Sequence, residues 1–123
     1  MTKVLIPVIA LLIGIIIGVF LPVQVTPFYA RYIAIVILVA LDTIFGGIRT
    51  ILESTFDATV FLSGFFVNSL LGVILIFMGD RLGVDLYLAA IVAFGVRIFQ
   101  NLAVIRRYII RKLSLRSKEV KDG

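Results

Sequence analysis

Apolar residues run through this chain in four long stretches, and polar side chains are confined to the seams between them and to a few interior positions. The stretches run from Val4 to Val23, from Phe28 to Ile48, from Ala58 to Gly79, and from about Leu86 to Ile105. Each is close to the roughly twenty residues an α-helix needs to cross a bilayer core. The pattern predicts an all-α fold, an integral membrane bundle of four transmembrane helices spanning about 4–23, 28–48, 58–79 and 86–105. One transmembrane domain then covers 1–105, followed by a basic juxtamembrane tail over 106–123.

The seams carry helix punctuation. Pro22 and Pro27, with Gln24 and Thr26 between them, end the first helix and form a turn. Gly46, Gly47 and Arg49 close the second stretch, and Ser54 or Asp57 is placed to cap the third helix by accepting free backbone N–H groups. Gly79, Asp80, Arg81 and Gly83 predict a tight turn, after which Asp85 caps the fourth helix. The first stretch has one Lys before it and no small-residue cleavage pattern after it, so it reads as a retained anchor. Small residues recur every fourth position as Ala10, Gly14 and Gly18 in the first helix, and Gly64 and Gly72 flank Asn68 in the third. Such strips let another helix backbone approach closely, so these five small residues are the expected helix-packing positions.

Charge adds orientation. The seven basic residues after Ile105, set against Glu119 and Asp122, account for the whole net charge of +5. The positive-inside rule puts this tail in the cytoplasm, and four spans bring the N-terminus to the same side. Arg106, Arg107, Arg111, Lys112 and Arg116 are the expected membrane-surface residues, mixed with Ile109, Ile110, Leu113 and Leu115 as in a segment lying on an anionic leaflet. Nucleic acid is not an expected partner.

Inside the spans, polar groups are few. Arg97, Gln100 and Asn101 are spaced i, i+3, i+4 and share one face of the fourth helix. At 1.5 Å per residue, Arg97 lies roughly 13 Å in from Arg106, Asp42 roughly 10 Å in from Arg49, and Asn68 roughly 15 Å in from Asp57. These similar depths predict an intramembrane cluster of Asp42, Asn68, Arg97, Gln100 and Asn101. Asp42 is expected to pair with Arg97, because an unpaired charge at a helix centre costs about 2.5–3.5 kcal/mol on insertion scales. The pair either fixes helix register or lines a solute or proton path, and its partners lie within one chain or between chains.

Chemistry is restricted by composition. There is no Cys, His or Trp, which removes thiol and imidazole catalysis and the usual zinc, haem and iron–sulfur ligands. Intramembrane aspartyl proteolysis needs two apposed carboxylates, and only Asp42 lies within a span. No glycine-rich phosphate loop or Ser-Lys pair at helical spacing is present. The expectation is a protein that is not an enzyme, with no cofactor, no catalytic residue and no metal site.

Three stretches resemble the bacterial small basic protein family, an uncharacterised group of multi-pass membrane proteins. They are Leu41 to Arg49 (LDTIFGGIR), Ser63 to Asn68 (SGFFVN), and Gly83 to Leu88 continuing through Phe94 to Asn101 (FGVRIFQN) and on to Arg106 and Arg107. Members are often encoded beside cell-division and envelope genes, which implies by association a role near that machinery.

The function expected is that of an accessory or scaffold component of the bacterial cytoplasmic membrane, assembling with itself or with a membrane-protein partner. The alternative is an oligomeric transporter or channel subunit for a small solute or ion, with the polar cluster lining a mid-membrane path.

Overall fold

The computed structural model describes residues 2–22 and 24–122, so the Val23 end of the first expected span and the Gly123 end of the tail lie outside the described residues. It contains four helices: α1 (Thr2–Phe20), α2 (Pro27–Leu52), α3 (Ala58–Leu82) and α4 (Leu86–Asp122). Each is long and apolar enough to cross a membrane.

Local chemistry accounts for most boundaries. Pro27 opens α2, where its missing N–H is no loss, and the Thr26 carbonyl accepts from the Tyr29 and Ala30 N–H groups. Asp57, not Ser54, caps α3: its Oδ1 accepts from the backbone N–H of Thr59 at 2.8 Å and of Val60 at 3.3 Å. Ser54 instead sits in the left-handed region with φ of 61° and turns the chain out of α2. Asp85 Oδ1 accepts from the Leu88 N–H at 3.2 Å and so caps α4.

Three helices run further than the apolar pattern indicates. α2 passes through Gly46 and Gly47 to Leu52, because Gly47 serves packing: a Cβ there would lie 2.6 Å from Phe61 Cε2 on α3. α3 passes Gly79 and ends at Leu82, with Gly83 in the left-handed conformation that glycine adopts without strain. The chain folds back over Gly79, where a Cβ would meet the Val84 carbonyl oxygen at 2.6 Å and Leu86 Cβ at 2.9 Å. α4 continues unbroken beyond Ile105 to Asp122, a rod about 55 Å long.

α2, α3 and α4 pack on one another, with α2 between the others, and α1 touches α2 alone. The core is Ile35 and Val39 of α2, Ile76 of α3, and Ala90 and Phe94 of α4. Gly72 admits Ile35, whose Cγ1 would be 3.1 Å from a Cβ at that position. Beyond the core, at the α3–α4 turn, Arg31 reaches across all three helices. It contacts Asp80 Oδ1 at 2.8 Å and Asp85 Oδ1 at 3.8 Å, and lies over the Tyr87 ring.

No residue from Lys3 to Phe20 is buried. A Cβ on Gly14 or Gly18 would meet nothing within 4 Å, and the same holds for Gly64. Of the four glycines expected to pack helices, only Gly72 does so within the chain.

Gly79→Ala is therefore expected to lower stability by about 1–3 kcal/mol, the cost of overpacking against backbone that has little room to move. Gly14→Ala, with open space and a better helix former, is expected to be neutral or stabilising by at most about 1 kcal/mol. Thermal unfolding of both variants in detergent measures the difference; equal losses would contradict the packing described.

Candidate functional site

The apolar core occupies only half the length of the three-helix unit. On α2 it ends at Val39, on α3 it lies C-terminal to Phe65, and on α4 it ends at Phe94. Past these positions Ile48 and Ile105 are buried too, but polar and small residues dominate, and a cavity of about 530 Å³ opens between the helices toward the α2–α3 turn, with Val60 and Phe61 as its apolar lining. Its depth comes partly from missing side chains. A Cβ on Gly64 would find no atom within 4 Å, and one on Gly46 would find only the Asn101 side-chain nitrogen at 3.6 Å.

All five residues of the expected polar cluster line this cavity: Asp42 from α2, Asn68 from α3, and Arg97, Gln100 and Asn101 from α4. Arg97 Nη2 stands 3.3 Å from Asp42 Oδ2 within one chain. The partners differ sharply in environment, since the Asp42 side chain is 2% exposed and that of Arg97 is 53% exposed. The Arg97 guanidinium also lies over the Phe94 ring, 5.7 Å from its centroid, at the boundary between the core and the cavity.

Nearer the α2–α3 turn, a second set of polar groups continues the lining. Arg49 Nε donates to Glu53 Oε1 at 3.1 Å, and Arg49 Nη1 donates to Asn101 Oδ1 at 3.2 Å. Thr50 Oγ1 donates to the Gly47 carbonyl at 2.9 Å, one turn back on its own helix. Arg49 and Glu53 were not in the expected cluster. Their signal was present as periodicity: Asp42, Gly46, Arg49 and Glu53 follow at i, i+4, i+7 and i+11, a single helix face. That face was obscured by reading Gly46, Gly47 and Arg49 as the end of α2.

A larger groove of about 980 Å³ lies elsewhere, where the start of α1 meets the α2–α3 turn. Ile6, Pro7, Ile51, Phe56 and Phe61 line it, with Lys3 as its charged residue. It lacks convergent polar groups, so the polar cavity is the better candidate site. Among the described residues, no three His, Cys, Asp or Glu side chains come together as a metal site. What the polar cavity supplies is recognition chemistry: one deeply buried carboxylate, guanidinium donors, and the amides of Asn68, Gln100 and Asn101.

The basic residues of the chain end lie on the exposed extension of α4, where Arg107 Nε donates to the Ala103 carbonyl at 3.4 Å. Tyr108, Ile109, Arg111, Lys112 and Leu115 form a small groove there with Leu52 of α2.

Residues 25–110 match a family described as a protein of unknown function, DUF1290. This segment contains the whole polar cavity and leaves out α1 and the end of α4. The small basic protein of Bacillus subtilis is 50% identical over 116 residues, covering 94% of this chain and 96% of its own length. Uncharacterized proteins of Mycobacterium bovis and Mycobacterium tuberculosis are each 41% identical over 100 residues, covering 80% of this chain and 83% of theirs. No solved structure matches the chain.

Removing either member of the ion pair leaves the other charge without its partner. Asp42→Asn and Arg97→Leu are each expected to cost about 2 kcal/mol, and the double variant clearly less than the sum. A double-mutant cycle on unfolding in detergent measures the coupling; strictly additive losses would show that the two side chains do not act together.

Proposed function

This chain belongs to the small basic protein family, which has no assigned activity, and from that premise we propose that it is a non-enzymatic accessory or scaffold component of the bacterial cytoplasmic membrane. Helices α1 to α4 each cross the bilayer. The N-terminus, the α2–α3 turn and the basic end of α4 lie on the cytoplasmic side, as the positive-inside rule prefers. Of Arg31 and Arg81, the basic residues that argue for the opposite orientation, Arg31 is neutralised at the far end by Asp80 and Asp85.

The observation that carries this reading is the state of α1. It is apolar from Val4 to Phe20, among the described residues it touches only α2, and its Ala10–Gly14–Gly18 strip faces open space. In a bilayer, apolar surface alone does not drive association, and small-residue strips act by letting backbones meet. α1 is thus a membrane-embedded surface for a second copy or another membrane protein. The family resemblance of the α2 to α4 motifs implies, by association only, a place near the cell-division and envelope machinery. The basic end of α4 adds attraction to the anionic inner leaflet, about 1 kcal/mol for each Lys or Arg close to the surface.

A second reading, a transporter or channel subunit, is favoured by the polar cavity. Within one chain, however, Ile35, Val39, Ile76 and Phe94 close the bundle beyond it. A path across the membrane would need other copies.

Photo-crosslinking from Gly14 and Gly18 in native membranes, followed by mass spectrometry, tests the proposal. Reproducible capture of division or envelope-synthesis membrane proteins is expected, with Gly14→Leu/Gly18→Leu reducing capture about tenfold, equivalent to 1.4 kcal/mol, at unchanged stability. Capture of this chain alone would favour the subunit reading, and absence of any crosslink would overturn the role given to α1. A cysteine at Ser117 is expected to react with an impermeant thiol reagent in inside-out vesicles only; reaction in right-side-out vesicles would overturn the orientation.

A further inference from the structure

Asp42 is engaged on one side only. Its Oδ2 lies 3.3 Å from Arg97 Nη2, whereas its Oδ1 is buried with no hydrogen-bond partner among the described residues. A buried acceptor without a donor is costly, and its presence beside a cavity points to something that fills the place. The neighbouring guanidinium has five N–H donors, and more than half of the Arg97 side chain is exposed. The other charges of the lining are committed elsewhere: Arg49 to Glu53 and Asn101, and Asp57 to the backbone of α3. The wall of the cavity is left with one buried carboxylate oxygen that has no donor next to a half-exposed guanidinium, beside a space of about 530 Å³. That volume is within the usual range for small-molecule sites.

We propose that this cavity binds a small zwitterion, in which an ammonium group and an anionic oxygen centre lie a few ångströms apart. The ammonium donates to the Asp42 carboxylate, whose side chain turns to present its unpartnered oxygen, and the anionic oxygens accept from Arg97. Charge selects this class. A lone cation at Asp42 also meets the repulsion of Arg97 3.3 Å away, and a lone anion at Arg97 meets that of Asp42. A zwitterion satisfies each end and leaves the net charge of the site unchanged. Asn68 and Gln100 supply amide donors and acceptors around it. The same chemistry is found in a free amino-acid or aminoalkyl-phosphate solute and in the phosphoethanolamine headgroup of a lipid. This site is separate from α1 and stands or falls independently of the partner-binding role given to that helix.

The test uses the full chain in phosphatidylglycerol nanodiscs. Asn68→Cys, in a chain with no natural cysteine, reports access of a water-soluble thiol reagent to the cavity. O-phosphoethanolamine or glycine is expected to slow labelling about tenfold, while ethanolamine and inorganic phosphate, each carrying one of the two charges, are not. A cysteine at Ile110 on the exposed part of α4 is expected to be unaffected by any of them. In the unsubstituted chain, the Arg97 side-chain nitrogen signal is expected to shift and saturate with the same ligands, a readout independent of any variant. Protection and a shift produced by replacing the lipid with phosphatidylethanolamine, but by no soluble zwitterion, would assign the site to a lipid headgroup. If no zwitterion, soluble or lipid, moves the Arg97 signal, or if ethanolamine or phosphate alone protects equally, the proposal is wrong.

Discussion

A carboxylate buried among apolar helices needs a counter-charge, and the Asp42–Arg97 contact is the point on which the rest of the arrangement turns. Asp42 is the buried ionisable residue among the described residues, and it sits where the apolar core of α2 gives way to the polar face. Arg97 occupies the equivalent boundary on α4, one turn past Phe94. The 3.3 Å contact therefore ties the register of α2 to that of α4 at one level. A slip by one residue on either helix would rotate a charge toward the core or toward the outer surface, at a cost of kcal/mol for the unpaired group.

From that level the three-helix unit divides along its axis. On one side Ile35, Val39, Ile76 and Phe94 interlock, and Gly72 and Gly79 bring α3 and the α3–α4 turn close enough to close the end, where Arg31, Asp80, Asp85 and Tyr87 meet. On the other side the glycines have the opposite effect. Gly46 and Gly64 leave space where side chains would have filled it, and polar groups line the result. The same residue type thus makes contact at one end and a cavity at the other, and what decides is whether a large residue such as Ile35 or Leu86 stands opposite. α1 takes part in neither half. Its exposure leaves the molecule with two distinct surfaces, one apolar along α1 and one polar between α2, α3 and α4.

Much of this was legible in the chain because hydrophobicity and depth along a helix are local properties. Four apolar stretches gave four helices, Asp85 was recognisable as a cap and Asp57 as one of two candidates, and counting residues from the helix ends put Asp42 and Arg97 at similar depths. What was not legible depended on partners distant in sequence. Gly47 looks like a helix end until Phe61 is placed against it, and Gly79 looks like a turn until Leu86 folds over it. The basic segment after Ile105 has no clean apolar stripe, yet α4 continues through it, as its many good helix formers allow. The strip of α1 predicted close packing, but a sequence cannot say whether the partner lies in the same chain. The cavity was least visible of all, since it consists of atoms that are missing from Gly46 and Gly64.

The division of the bundle into a dry half and a wet half is tested most directly by water-edited solid-state NMR of the unsubstituted protein in lipid bilayers. Rapid transfer of water polarisation to the side-chain amides of Asn68, Gln100 and Asn101, with slow transfer to Ile35, Val39 and Ile76, is the result expected. Equally slow transfer to both sets would mean that the polar face is closed by protein on all sides and that no cavity exists in the membrane.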